Sequence, residues 1–379
     1  MKFLRDIGHL QGTRVLVRLD LNVPVRNGRV LDDFRIRKSM ETLTVLQKGG
    51  ARIVLISHLE SDGDSTLEPV ALHMQKMGIK VTFVKNYRNA FAAVEALQPG
   101  EIILLENLRH NEGEKKNDTK FAKELATLGD IYVNEAFPVS HRAHASVSAI
   151  TEFLPSYAGI VFEREVKALR EAFNPAHPFL FVLGGAKFET KLPLIEKFLN
   201  IADTVFVGGA LANNFFKEQG MEIGKSVASE KDFDLKKYSG NSKILLPVDG
   251  IVASKMGDKG EIKSVSEIGT DGLLLDAGPK TVELIKEAAM NAKTILWNGP
   301  LGGYEQGYKK YTLDLAAVIA EATTKNGAKS IIGGGDTLAA IAELGIEDKF
   351  SFVSTGGGAM LDFLANETLP GIEALEREN

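Results

Sequence analysis

The chain has 379 residues, 45 Lys and Arg against 50 Asp and Glu, and a formal net charge of −5. That balance argues against general nucleic-acid or anionic-membrane binding, so any anion site must be a local patch. Cysteine is missing altogether, which excludes disulfides, thiolate catalysis and cysteine-ligated zinc or iron–sulfur centres. The first half alternates short β-branched runs with amphipathic stretches. Strands are predicted at Arg14–Leu19, Arg52–Ser57, Lys80–Val84, Glu101–Leu105 and Ile131–Asn134, with helices at Arg35–Lys48, Glu68–Met77, Tyr87–Leu97 and Thr119–Leu128. One polar-faced helix is predicted from Ser156 to Phe173, stopped by Asn174-Pro175. The second half starts again with strands at Phe179–Leu183, Thr204–Val207, Thr294–Trp297, Lys329–Ile332 and Phe352–Ser354. The alternation predicts an α/β protein: two doubly wound, Rossmann-like parallel sheets joined by that helix. No apolar run reaches the roughly 18 residues of a membrane span. The charged start leaves no room for a signal-peptide core, and a cytoplasmic protein is expected.

Chemistry gathers at the carboxyl ends of the first-half strands, where parallel sheets bind ligands. Arg18, Asp20 and Asn22 close the first strand, Arg35 opens the first helix and His58 follows the second strand. Arg109 follows the fourth, and His141-Arg142-Ala143-His144 lies in the loop after the fifth. Several guanidinium groups converging on one crevice suit a phosphorylated or carboxylated small molecule. Asp20 is then either a salt-bridge partner or an acceptor for a substrate hydroxyl. His141 and His144 lack carboxylate-rich partners at a zinc spacing, so substrate contact or packing is expected of them.

Glycines cluster in the second half, at Gly184-Gly185, Gly208-Gly209, Gly299–Gly303, Gly333–Gly335 and Gly356–Gly358, mostly just after a strand and before a helix. Such loops let backbone N–H groups approach a phosphate, or simply let strand and helix pack closely. Gly220–Ser226 has one residue too few between its glycines for a P-loop and is read as a false match. Lys187 and Lys191 fall on one face of a helix predicted to begin near Phe188, a start that a first-turn Pro193 would support. Cations at a helix start oppose its dipole unless an anion compensates. Asp336 reads as a helix cap, a magnesium ligand or both.

Thirteen strings in order, from Val17 to Ile372, resemble phosphoglycerate kinases: VRLDLNVP, ISHL, LLENLR, YVNEAF, HRAHAS, GGAKFETK, VGGALANNF, LPVDGIVA, DAGP, WNGPLGGYE, IGGGDT, VSTGGGA and LPGI. The resemblance implies an N-terminal glycerate-binding domain (1–158, with 365–379 packing back on it) and a C-terminal nucleotide-binding domain (159–364). It implies reversible phosphoryl transfer from 1,3-bisphosphoglycerate to ADP, giving 3-phosphoglycerate and ATP, by a magnesium-dependent monomer that closes on a hinge. By motif, Asp20 and Asn22 would bind glycerate, and Arg35, His58, Arg109 and Arg142 would line the basic patch. Lys187, Lys191, Gly209, Asn298, Pro300, Glu305, Gly334, Gly335, Asp336 and Thr337 would bind nucleotide, with Glu305 on the ribose and Asp336 on the metal. Arg35, Lys187, Gly357 and Gly358 would act on the moving phosphoryl. A paralogue using another acid, or a nucleotide-binding regulatory protein with little turnover, are the alternatives.

The chain departs from the family pattern after the ISHL string. Glu60-Ser61-Asp62 stands where the family has Gly-Arg-Pro, turning a formal +1 into −2 beside the anion site. Weakened binding of 3-phosphoglycerate with turnover partly kept is expected, reversible by Ser61→Arg. Glu135 and Pro138 replace the family's Asp and Gly, and could alter the loop that carries Arg142.

Overall fold

A computed structural model describes residues 1–60, 65–86, 90–231, 233–238 and 240–377. Ser61 and Asp62, and the first three residues of the helix expected at Tyr87–Leu97, lie outside the described residues. The chain divides into two compact units, Met1–Lys167 with Asn366–Asn379, and Ala168–Ala365. That division falls inside the helix Ile160–Arg170, whereas the sequence reading drew it at 158/159.

The first unit holds a wholly parallel six-stranded sheet in the spatial order Val81–Val84, Ile102–Leu105, Arg52–Ile56, Arg14–Arg18, Ile131–Asn134, Ser156–Ala158. Its central strands are buried over nearly their whole length, as expected when helices cover both faces. Val15, Val17, Ile53, Leu55, Leu43, Leu46 and Val70 join strands and helices in one apolar core. The chain runs first to one side of Arg14–Arg18 and later to the other, so the strand order reverses there. The second unit holds another parallel sheet, ordered Ile244–Leu245, Thr204–Val207, Phe179–Leu183, Thr294–Asn298, Lys329–Gly333, Phe352–Val353. Its reversal lies between Phe179–Leu183 and Thr294–Asn298, beside the fully buried Trp297.

Three sequence expectations fail, each for a physical reason. Ser156–Ala158 is not the start of a helix but the sixth strand, paired with Tyr132–Asn134, and the helix begins at Ile160. Pairing on a sheet edge outweighs the continuous amphipathic pattern there. Pro193 is the sixth residue of Phe188–Leu199, beyond the first turn, so the helix starts where expected while one backbone hydrogen bond is lost. The third is an omission: an antiparallel sheet, ordered Glu261–Ser264, Asp249–Ala253, Leu273–Ala277, accompanies the second unit. A small hairpin at Val25–Val30 also escaped notice, although Asn27-Gly28, with φ of 50° and 68°, is the residue pair such a turn prefers.

Glu135 has a structural task. Its Oε1 accepts from Val161 N–H at 3.1 Å and from the Thr42 hydroxyl, and its Oε2 accepts from Phe162 N–H at 3.2 Å. The carboxylate thus caps the helix Ile160–Arg170. Burial outweighs these bonds and pushes the Glu135 carboxyl up to about 7. A raised folded-state pKa means that its stabilisation is complete at acid pH and declines as pH rises through 7. Glu135→Ala is expected to cost about 1–3 kcal/mol, since three donors lose their acceptor. Urea unfolding should show a larger loss at pH 6 than at pH 8.

Candidate functional site

In the first unit the arginines and histidines converge where the strand order reverses. Arg18 ends its strand fully buried. Its Nε donates to Ser146 Oγ at 2.9 Å, its Nη1 to the Leu19 carbonyl at 2.6 Å and its Nη2 to His58 Nδ1 at 3.0 Å. Ser146 in turn donates to the fully buried Glu114 carboxylate at 2.6 Å. Glu114, a residue the sequence reading missed, therefore anchors the HRAH loop to Arg18. Its setting, Asn111-Glu112-Gly113-Glu114-Lys115-Lys116, gives no sign of burial.

Asp20 accepts from Arg35 Nη1 at 2.7 Å and from Asn22 N–H at 3.3 Å, so it is the salt-bridge partner of Arg35. Asn22 is half-buried, and its Oδ1 accepts from Glu60 N–H at 2.8 Å. The Arg109 side chain is 6% exposed, yet its Nε and Nη2 have no hydrogen-bond partner among the described residues. Burial, with Arg142 and Arg18 nearby, pushes its pKa down to about 10. Glu60 forms an ion pair with Arg109 Nη1 and lies 3.7 Å from Arg142 Nη1. Arg142 itself is exposed. The site is a patch of excess positive charge with unsatisfied donors, which is chemistry that selects an anion.

The two buried histidines here are neutral. Burial and the neighbouring Arg18, Arg109 and Arg142 drive His58 far below its usual pKa; burial and the same arginines push His144 down to about 4. Arg18 donates to His58 Nδ1, which also requires that nitrogen to be unprotonated. Neither imidazole can supply a positive charge at neutral pH. In the free protein, two of the seven imidazole C2–H NMR signals should not titrate above pH 5. Because the unfolded chain takes up these protons and the folded one does not, the two groups remove stability as pH falls below about 6.5.

In the second unit, a cavity of about 830 Å³ opens at the strand reversal. Lys187, Lys191, Gly209, Asn298, Pro300, Glu305, Gly334, Gly335 and Asp336 line it, together with Gly357 and Gly358. Thr337 does not. It is fully buried behind the wall, where its hydroxyl accepts from Gly299 N–H at 2.9 Å. Four helices begin at this wall: Phe188–Leu199, Ala210–Glu218, Gly335–Leu344 and Gly358–Asn366. Their free N–H groups and dipoles favour negative charge.

The glycine loops serve two purposes. A side chain at Gly209 (φ 60°) would meet Gly185 N at 2.7 Å and Pro300 O at 3.0 Å, so close backbone packing explains that glycine. Gly335 and Gly357 have open space where a side chain would stand, and their backbones face the cavity. Lys191 is buried, donates to the Gly184 carbonyl and is pushed down to about 8, mainly by burial. Asp336, in the first turn of its helix, is raised by burial and by the charge of Glu305, with Lys191 opposing. Asp276, also missed from sequence, borders the cavity and is raised to about 7 by burial despite accepting from Ala277 and Tyr311 N–H groups.

An anion-gathering strand end in one α/β unit and a phosphate-type cavity in the other define an enzyme of phosphorylated substrates. The phosphoglycerate kinase family model matches residues 4–367, and the chain belongs to this family. It is 40% identical to the phosphoglycerate kinase of Dictyoglomus turgidum over 392 aligned positions, covering 98% of both chains. It is 42% identical to that of Thermosipho africanus, covering 98% of this chain and 97% of the relative. The solved phosphoglycerate kinase structure from Coxiella burnetii superimposes with a TM-score of 0.85 at 37% identity, covering 98% of each chain. Membership makes this chain a kinase of glycolysis, and the paralogue and regulatory alternatives are not favoured.

Proposed function

We propose that the arginine-rich end of the first sheet holds 3-phosphoglycerate or 1,3-bisphosphoglycerate, and that the glycine-walled cavity of the second holds ADP or ATP. The observation that carries this reading is the cavity at the second strand reversal, where four helix starts, two lysines and Asp336 meet. Val227, Met256 and Leu274 add apolar surface to its lining, which suits a nucleotide's ring. Thr337 supports the wall rather than touching phosphate, and Asp20 orients Arg35. Arg35, Lys187 and the amides of Gly357 and Gly358 are the groups we assign to the transferring phosphoryl.

No cluster of three or more His, Asp or Glu suited to a metal occurs among the described residues. One carboxylate beside phosphate oxygens is nevertheless how magnesium is commonly held, and Asp336, crowded by Glu305, fits that role. Bound there, magnesium would neutralise charge on the phosphates. Both nucleophiles, a glycerate carboxylate and an ADP phosphate oxygen, are ionised at pH 7, so the chain needs no general base. Alignment and positive charge do the catalysis. In-line transfer further requires the bound acid and nucleotide to be brought together with water excluded.

The reading also makes the protein a cytoplasmic monomer with no nucleic-acid or membrane partner. No helix among the described residues is long and apolar enough to cross a membrane. Coupled ATP turnover that depends on 3-phosphoglycerate and magnesium tests the assignment. ATP consumption indifferent to the acid would overturn it.

A further inference from the structure

The Glu60 carboxylate sits where an anionic ligand of Arg109 and Arg142 would sit. It pairs with Arg109 Nη1 and stands 3.7 Å from Arg142 Nη1. Its backbone is tied to the same site, because Glu60 N–H donates to Asn22 Oδ1 at 2.8 Å. The pair is incomplete: Glu60 meets only Nη1, and Nε and Nη2 of Arg109 have no hydrogen-bond partner among the described residues. A carboxylate that satisfied Arg109 would be hard to remove. One that only neutralises it, from a side chain half exposed to solvent, can be displaced by an anion that also completes the hydrogen bonds.

We propose that Glu60 is a built-in competitor of the acid substrate, occupying the Arg109–Arg142 pair in the free protein and leaving it when the substrate's anionic group arrives. This inference rests on the assignment of that patch to the acid. Glu60 touches no reacting atom; it sets affinity. The competition penalises ligands whose anionic group needs Arg109 and spares those that do not reach it. It therefore lowers the preference for a phosphorylated acid over an unphosphorylated one.

Glu60→Gln keeps the size and backbone bond of the side chain and removes its charge. For a half-exposed pair the expected gain is about 5-fold. KM for 3-phosphoglycerate should fall by that factor with kcat unchanged. The dissociation constant for inorganic phosphate, measured calorimetrically without nucleotide, should fall in parallel. In an Arg109→Met background the same substitution should leave both values within about 2-fold, because its competitor has lost its site. Equal phosphate affinity in wild type and Glu60→Gln, or an undiminished effect of Glu60→Gln without Arg109, would overturn the proposal. The phosphate measurement requires no turnover. Parallel tightening without 3-phosphoglycerate-dependent turnover would therefore uphold the role of Glu60 while refuting the assigned reaction.

Discussion

Arg109→Met is expected to give a more stable protein that binds 3-phosphoglycerate about 10–150-fold more weakly, the loss typical of one charged hydrogen bond. The two effects share one cause. Arg109 is nearly buried, its Nε and Nη2 have no hydrogen-bond partner among the described residues, and Arg18 and Arg142 add like charge. Buried donors without acceptors typically cost about 1–3 kcal/mol, and methionine fills similar space without them. Glu60 offsets part of that cost, yet it is half exposed and regains water when Arg109 is gone. Steady-state kinetics should place the loss in KM, and the urea midpoint should rise. A variant less stable than wild type would show that the Glu60 pair outweighs the unsatisfied donors. An unchanged KM would remove Arg109 from the substrate site.

The second large effect is expected from Asp336→Asn, with turnover lowered about 10²–10³-fold, the scale of losing one preorganised electrostatic contact. In the free protein the carboxylate is a burden. Burial and Glu305 raise its pKa, and Lys191 only partly offsets them. Asparagine preserves shape and removes the charge, so stability should stay within about 0.5 kcal/mol or rise. The magnesium concentration giving half-maximal rate should increase. The Lys191 ammonium, losing an opposing charge, should drop below its already lowered pKa of about 8 and become more reactive toward amine reagents. Normal turnover with an unshifted magnesium requirement would leave Asp336 only as a negative charge in the first turn of its helix, where its side chain makes no capping hydrogen bond among the described residues.

Much of the architecture could be read directly from local signals. The strands Phe179–Leu183, Thr204–Val207 and Ile131–Asn134 were placed to the residue, because a short apolar run bounded by turn residues is a property of neighbouring positions. The helix at Phe188 likewise announced its start. Ser156–Ala158 was misread because its extended form comes from distant partners, the strand Ile131–Asn134 more than twenty residues away and the bridge from Ala158 to Phe3. The site was partly visible for the same reason. Arginines and glycines at strand ends are countable, whereas the hydrogen bonds of Glu114 with Ser146 and of His58 with Arg18 join residues 32 and 40 positions apart.

Taken alone, the sequence determined the alternation of strands and helices, the lack of cysteine chemistry and the family resemblance, all carried by residue type and short-range order. The tertiary structure decided which charges lose their water together. It separated glycines that permit close packing, such as Gly209, from those that face open space, such as Gly335. It also placed Glu60 against Arg109, 49 residues ahead in sequence, and left Nε and Nη2 of that guanidinium without hydrogen-bond partners among the described residues. Desolvation and pairing depend on three-dimensional neighbours, and a one-dimensional pattern carries no record of them.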